Sequence, residues 1–171
     1  MVACKVSDVL CFLNSLILNM ISLNLPPFEY KVKKADGKVL IFDVLRKKYV
    51  VLTPEEWVRQ HFIHFMTGQL KYPKSLIRIE TGLLYNTLHK RCDITVFNRS
   101  GNPWLIVECK SPELSICNDT LRQASVYNLA IKARYVVLTN GLNLMCLDTQ
   151  TPEKQPWKIL HELPAYDSQE I

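Results

Sequence analysis

A chain of 171 residues and 19.8 kDa holds one ordinary domain with short appendages, and excludes a second full domain. Hydrophobic residues at 48 % and charged residues at 22 % exclude wholesale disorder, and five glycines with nine prolines are too few for a fibrous or low-complexity protein. The net charge of +5 permits nucleic-acid binding without requiring it, and no run of about 18 apolar residues is long enough to predict a membrane span.

Residues 1–19 read as an N-terminal extension ahead of a core domain over 20–165, with 166–171 as a C-terminal tail. Val9 to Leu25 is apolar but broken by Asn14, Ser15, Asn19, Ser22 and Asn24, and no small-residue cleavage site follows. An upstream extension and a helix that caps the core both fit this segment.

From Phe28 the pattern becomes regular. Phe28 to Lys34 and Lys38 to Asp43 are strand candidates joined by Ala35-Asp36-Gly37, whose Asp-Gly step predicts a β-hairpin. Arg46 to Leu52 continues extended and basic. Thr53-Pro54-Glu55-Glu56 predicts a helix start, with Thr53 as N-cap, proline in the first turn and acids at the positive end of the dipole. Apolar residues at 57, 58, 62, 65 and 66 continue the helical period, and Gly68 is a natural stop.

Ser75 to Glu80, Lys90 to Asn98 and Pro103 to Lys110 read as strands, the last two joined by the Arg99-Ser100-Gly101-Asn102 turn. Asn118 or Asp119 can cap a helix to about Ala133. Tyr135 to Thr139, a turn at Asn140-Gly141, and Leu142 to Asp148 predict a second hairpin, with a short strand near 157–160. The order predicts an α/β domain with a central mixed sheet flanked by helices and an N-terminal β-hairpin. The six cysteines form no C-x-x-C pair, and Cys92, Cys109 and Cys146 lie in apolar runs. They read as reduced core thiols, which suits a cytoplasmic protein.

The most informative stretch is Lys90 to Lys110. Strand alternation puts Glu108 and Lys110 on one side and Cys109 on the other. A hairpin centred between Ser100 and Gly101 places Asp93 directly across from Glu108, with Cβ atoms about 5 Å apart. Two like charges so placed are unfavourable unless a cation lies between them. The ordinary alternative is a chance pair of acids at strand ends. Gln123 and Tyr127, four apart on the next predicted helix, turn polar groups to one face, as a core tyrosine with a polar neighbour also would. Glu56 is either a third acid of the site or a capping-box glutamate paired with Arg59. Glu80 is a weaker acid candidate. The four histidines show no ligand spacing, and no Walker, dinucleotide-binding or serine-hydrolase motif is present. The lysines and Arg46 between residues 31 and 48, interleaved with Phe28, Tyr30 and Tyr49, fit either a phosphate-tracking surface or a solvated hairpin face.

Together these residues resemble the PD-(D/E)xK nuclease superfamily, and Gln123-x-x-x-Tyr127 resembles the Q-x-x-x-Y motif of its RecB-like branch. More closely, the chain resembles the N-terminal domains of type I restriction enzyme R subunits. The segments that carry this include Leu25-Pro26-Pro27-Phe28, Leu52-Thr53-Pro54-Glu55-Glu56-Trp57-Val58-Arg59-Gln60, Tyr72-Pro73-Lys74-Ser75-Leu76, Val107-Glu108-Cys109-Lys110-Ser111-Pro112 and Thr139-Asn140-Gly141. The resemblance implies a metal-dependent DNA endonuclease domain, without the motor of a full R subunit. Asp93 and Glu108 would hold Mg2+ or Mn2+, and Lys110 would orient the attacking water or stabilise developing charge. Glu56 would complete the acidic set, and Gln123 and Tyr127 would support site or substrate. Arg91-Cys92 stands before Asp93 where the motif's name has a proline. The implied partner is DNA, with a homodimer or larger complex left open. The alternative is a non-catalytic DNA-binding or assembly module that keeps the nuclease fold.

Overall fold

A computed structural model describes residues 21–85, 88–117, 128, 131–150, 158–160 and 162–166. The expected extension over 1–19, most of the helix expected before Ala133, and Gln123 and Tyr127 lie outside the described residues.

Three short strands come first: β1 (Val32–Ala35), β2 (Lys38–Asp43) and β3 (Lys48–Val51), antiparallel in that spatial order. The expected hairpin is β1–β2. Its turn residues Asp36 and Gly37 both take left-handed backbone, at φ 50° and 72°, which matches the twist of the flanking strands. The basic stretch after Arg46 supplies a third strand.

Helix α1 (Pro54–Gly68) starts as its sequence predicts, with the Thr53 hydroxyl accepting from the Glu56 N–H at 3.0 Å. A second, six-stranded sheet follows: β4 (Ile77–Tyr85), β5 (Leu88–Phe97), β6 (Pro103–Cys109), β7 (Tyr135–Thr139), β8 (Leu144–Asp148) and β9 (Lys158–Leu160). Its strands lie in chain order, antiparallel except for the parallel pair β6–β7. A parallel neighbour needs a crossover connection, and here it spans 110–134, where Asn128 and Ile131 are helical.

Both faces of this sheet are covered, which is why β6 and β7 read as continuous apolar runs. Val58, Phe62, Ile63 and Met66 of α1 pack on the side of Ile94, Val96, Leu105, Val107 and Val137. Ile106, Ala133, Val136, Leu138 and Leu147 form the core on the other side, together with Cys92.

Two boundaries differ from expectation for physical reasons. β4 continues past Glu80 to Tyr85, because the ladder resumes at Thr81↔Cys92 after Glu80 leaves it with φ at 52°. β8 begins at Leu144 rather than 142, because the N–H groups of Leu142 and Asn143 are taken by the Asn140 side chain within the turn. Gly141 in that turn has φ 80°, where a side chain is strained, and an added Cβ would lie 2.8 Å from a Leu23 methyl that would have to shift.

Candidate active site

The register of β5 and β6 follows the turn centre expected from the sequence: Val96↔Leu105, Thr95↔Ile106, Ile94↔Val107. One further step would pair Asp93 with Glu108, and the ladder stops before it. Cys92 packs with Ile106 while Ile94 packs with Val107, on opposite sides of the sheet although two residues apart. Strand alternation is therefore broken at Asp93. The freed carboxylate spans the end of β6: Oδ2 accepts the Cys109 N–H at 2.7 Å, and Oδ1 accepts from Arg59 of α1 at 2.7 Å.

Arg59 is the hub of this end of the molecule. Its guanidinium also reaches Glu56, Glu55 and, at 3.9 Å, Glu80. Burial works against its charge, and the Asp93 and Glu56 carboxylates outweigh that, so its pKa is raised and the cation is fixed. Arg46, from the β2–β3 turn, makes a parallel bracket to Asp43 at 2.6 Å, Glu56 at 2.8 Å and Glu80 at 3.3 Å. Gln60 donates to both Asp43 and Glu56. Glu56 is thus enclosed: Oε1 accepts from Arg46 and Gln60, and Oε2 from Arg59. Its backbone serves the Thr53 cap, and its side chain serves the charge network, reaching Asp93 only through Arg59.

Alternation places Glu108 and Lys110 together on the Ile106 side, where Lys110 Nζ donates to Glu108 Oε1 at 2.7 Å. Burial raises the Glu108 pKa, with Asp93 and Glu55 adding to it and Lys110 offsetting part. Burial lowers that of Lys110, but Glu108, Asp93 and Glu55 outweigh it, so Lys110 is held above its usual range and is cationic at neutral pH. Each oxygen of Asp93 is engaged, whereas no described group donates to Glu108 Oε2.

Five carboxylates (Asp43, Glu55, Glu56, Glu80 and Asp93) therefore share two cations, Arg46 and Arg59, while Glu108 and Lys110 form a separate ion pair, leaving six carboxylates against three cations at this end of the molecule. That deficit of positive charge, with two hard oxygen donors at Asp93 and Glu108, suits a divalent ion that retains several waters. Among the described residues no group of three or more His, Cys, Asp or Glu is arranged to hold a metal. Any third ligand must be water, backbone or a residue outside them.

The model of the type I restriction enzyme R protein N terminus family (HSDR_N) matches residues 54–164, about two thirds of the chain. The chain belongs to this family. The matched segment opens at the first residue of α1 and holds Glu56, Asp93, Glu108 and Lys110. No curated relative matches the chain. Among solved structures, a chain provisionally described as a fragment of an HsdR subunit of a type I restriction enzyme from Vibrio vulnificus YJ016 is similar at 22 % identity and a TM-score of 0.36, over 52 % of this chain and 16 % of that one. Another, provisionally described as a nuclease belonging to DUF820 from Anabaena variabilis ATCC 29413, is 15 % identical with a TM-score of 0.43, over 81 % of this chain and 80 % of that one. The chain thus spans about a sixth of the HsdR fragment's length.

Arg59, Arg46, Asp43 and Gln60 were not singled out by the sequence as site residues. The available signal was local: Arg59 and Gln60 follow Glu56 at i+3 and i+4, on the same side of an otherwise aromatic helix. His61 and His64 play the structural part expected, with His61 Nδ1 3.0 Å from the Trp57 carbonyl and the Phe28 ring 4.0 Å from that of His64. Among the described residues no helix is long and apolar enough to cross a membrane.

Proposed function

We propose that this chain is a metal-dependent DNA endonuclease domain that hydrolyses phosphodiester bonds. The observation that carries the reading is the excess of carboxylate at this end of the sheet, where Asp93 is held by the arginine network and Glu108 by Lys110, six carboxylates standing against three cations. Asp93 and Glu108 would hold Mg2+ or Mn2+, which supplies Lewis-acid activation of water and phosphate. Lys110 is cationic and sits 2.7 Å from Glu108, so its part is to orient the attacking water or to stabilise charge developing on the phosphate, rather than to accept a proton. Arg59 holds Asp93 at the end of β6, and Glu56 holds Arg59. Both are positioning residues in this scheme. Gln123 and Tyr127 would support site or substrate.

The test is cleavage of single- and double-stranded DNA by the full chain with Mg2+, with Mn2+ and with EDTA. Cleavage that EDTA abolishes and either metal restores is the expected result. Binding without cleavage across both substrates and both metals would overturn it in favour of a DNA-binding or assembly module.

A further inference from the structure

The charge of this chain is concentrated in one element. Between residues 28 and 51, Asp43 and Arg46 pair with each other inside the network above. Six lysines (31, 33, 34, 38, 47 and 48) then stand against only Glu29 and Asp36, a local +4 out of the chain's net +5. This segment precedes the part that matches the R-protein family, which begins at residue 54.

The sheet register sorts these lysines by face. Val32, Ile41 and Val50 are paired across the three strands, and Val39, Ile41 and Asp43 are buried, so this is the inner face. The alternate positions form the outer face. Lys33 lies opposite Leu40 there, Phe42 opposite Tyr49, and Lys31 and Lys38 continue the same side. Lys33 Nζ stands 4.2 Å above the Tyr49 ring, and Phe42 meets that ring edge-on at 5.3 Å. The outer face is therefore an ordered aromatic floor with exposed ammonium groups around it. Lysine alkyl stems gain from resting on such a floor while their heads stay in water.

The sheet is joined to the candidate site through its other face, where Asp43 accepts from Arg46 and Gln60. The β2–β3 turn that closes it carries Arg46, whose guanidinium binds Glu56 on α1 and Glu80 on β4. One residue thus ties the basic sheet to the acidic cluster. An acidic cluster repels a polyanion, so a nuclease needs a separate cationic surface beside it to hold the strand.

We propose that the outer face of β1–β2–β3 is a platform that binds the sugar-phosphate backbone of DNA. The inference rests on the nucleic-acid reading above and adds the surface. Phosphate contacts from Lys31, Lys33 and Lys38 supply affinity without sequence preference.

The experiment uses the full chain and a labelled mixed-sequence oligonucleotide, duplex and single-stranded, with binding followed by anisotropy against salt. The variant Lys31→Gln/Lys33→Gln/Lys38→Gln is compared with a control, Lys71→Gln/Lys74→Gln/Lys158→Gln, which removes the same charge elsewhere. A second variant, Lys31→Gln/Lys38→Gln, spares the Lys33–Tyr49 contact in case the triple variant folds poorly. Loss of three phosphate contacts lowers the duplex salt slope by about 2.7 and affinity by about 100-fold near 0.1 M salt, with little change in the control. Equal losses in both triple variants would overturn the proposal, because the field would then be diffuse. Unchanged binding in the outer-face variants would also overturn it while leaving the nuclease reading standing. Wild type that binds phosphatidylglycerol vesicles and neither form of DNA would overturn both.

Discussion

Two sets of buried residues on α1 are held by opposite kinds of force. In the first turns, Glu56, Arg59 and Gln60 are at most 6 % exposed and every contact that fixes them is charged or hydrogen-bonded. In the last turns, Phe62, Ile63 and Met66 are fully buried against Leu105, Val107 and Val137. Burial of the apolar half is stabilising in itself. Burial of the charged half is tolerable only while every partner is present, because desolvation of an ion costs more than most pairs return. A helix that could have been apolar along its whole inner face instead keeps a charged end against β5 and β6. The proposed function accounts for such a stretch as one kept for chemistry rather than for stability.

Substitutions at the two ends test this difference, and the largest effect belongs to the charged half. Arg59→Met leaves Glu56 and Asp93 short of their shared cation. It should cost about 3–5 kcal/mol in urea unfolding. A double-mutant cycle with Glu56→Gln should show a coupling of about 0.5–3 kcal/mol, and additivity would contradict the network. In the apolar half, Ile63→Ala should cost about 2–5 kcal/mol, with Ile63→Val near 0.5–1.5. That loss should be the same in low and high salt, unlike the loss at Arg59. Thr53→Ala removes the cap over both halves and should cost about 1 kcal/mol.

The smallest effect is in pH. Burial raises the Asp43 carboxyl, but the Arg46 backbone and side chain, with Gln60, outweigh it and hold the pKa below its ordinary value of 3.8. A depressed carboxylate stabilises the fold above its unfolded pKa, and that stability is lost as pH falls through the folded value. The stability gap between wild type and Asp43→Asn should therefore be constant near neutrality and narrow below about pH 4. A gap that widens on acidification would contradict the pairing.

Features set by a few consecutive residues were legible in the sequence. The Thr53 cap, the Asp36-Gly37 and Asn140-Gly141 turns, the run of β7 and the β5–β6 register up to Ile94↔Val107 all depend on local chemistry and period. The Glu108–Lys110 pair was legible for the same reason, being two residues apart at the end of β6. What was not legible depends on long-range contact. The Arg59–Asp93 bond joins residues 34 apart in the chain, and the Arg46 bracket depends on where the β2–β3 turn lands against α1. The break at Asp93 and the left-handed Glu80 are local departures from strand geometry that neither residue's propensity favours, so a period-two reading passes over them.

In the proposed function Glu108 and Lys110, at the end of β6, carry metal-dependent cleavage. The most direct test is Lys110→Ala assayed for DNA cleavage and for DNA binding on the same preparation. Lys110 keeps no carboxylate in place except through Glu108, and its loss removes one cation of many from the binding surface. Cleavage should fall about 100-fold or more while binding and thermal stability stay near wild type. Equal cleavage by wild type and Lys110→Ala would contradict the assignment.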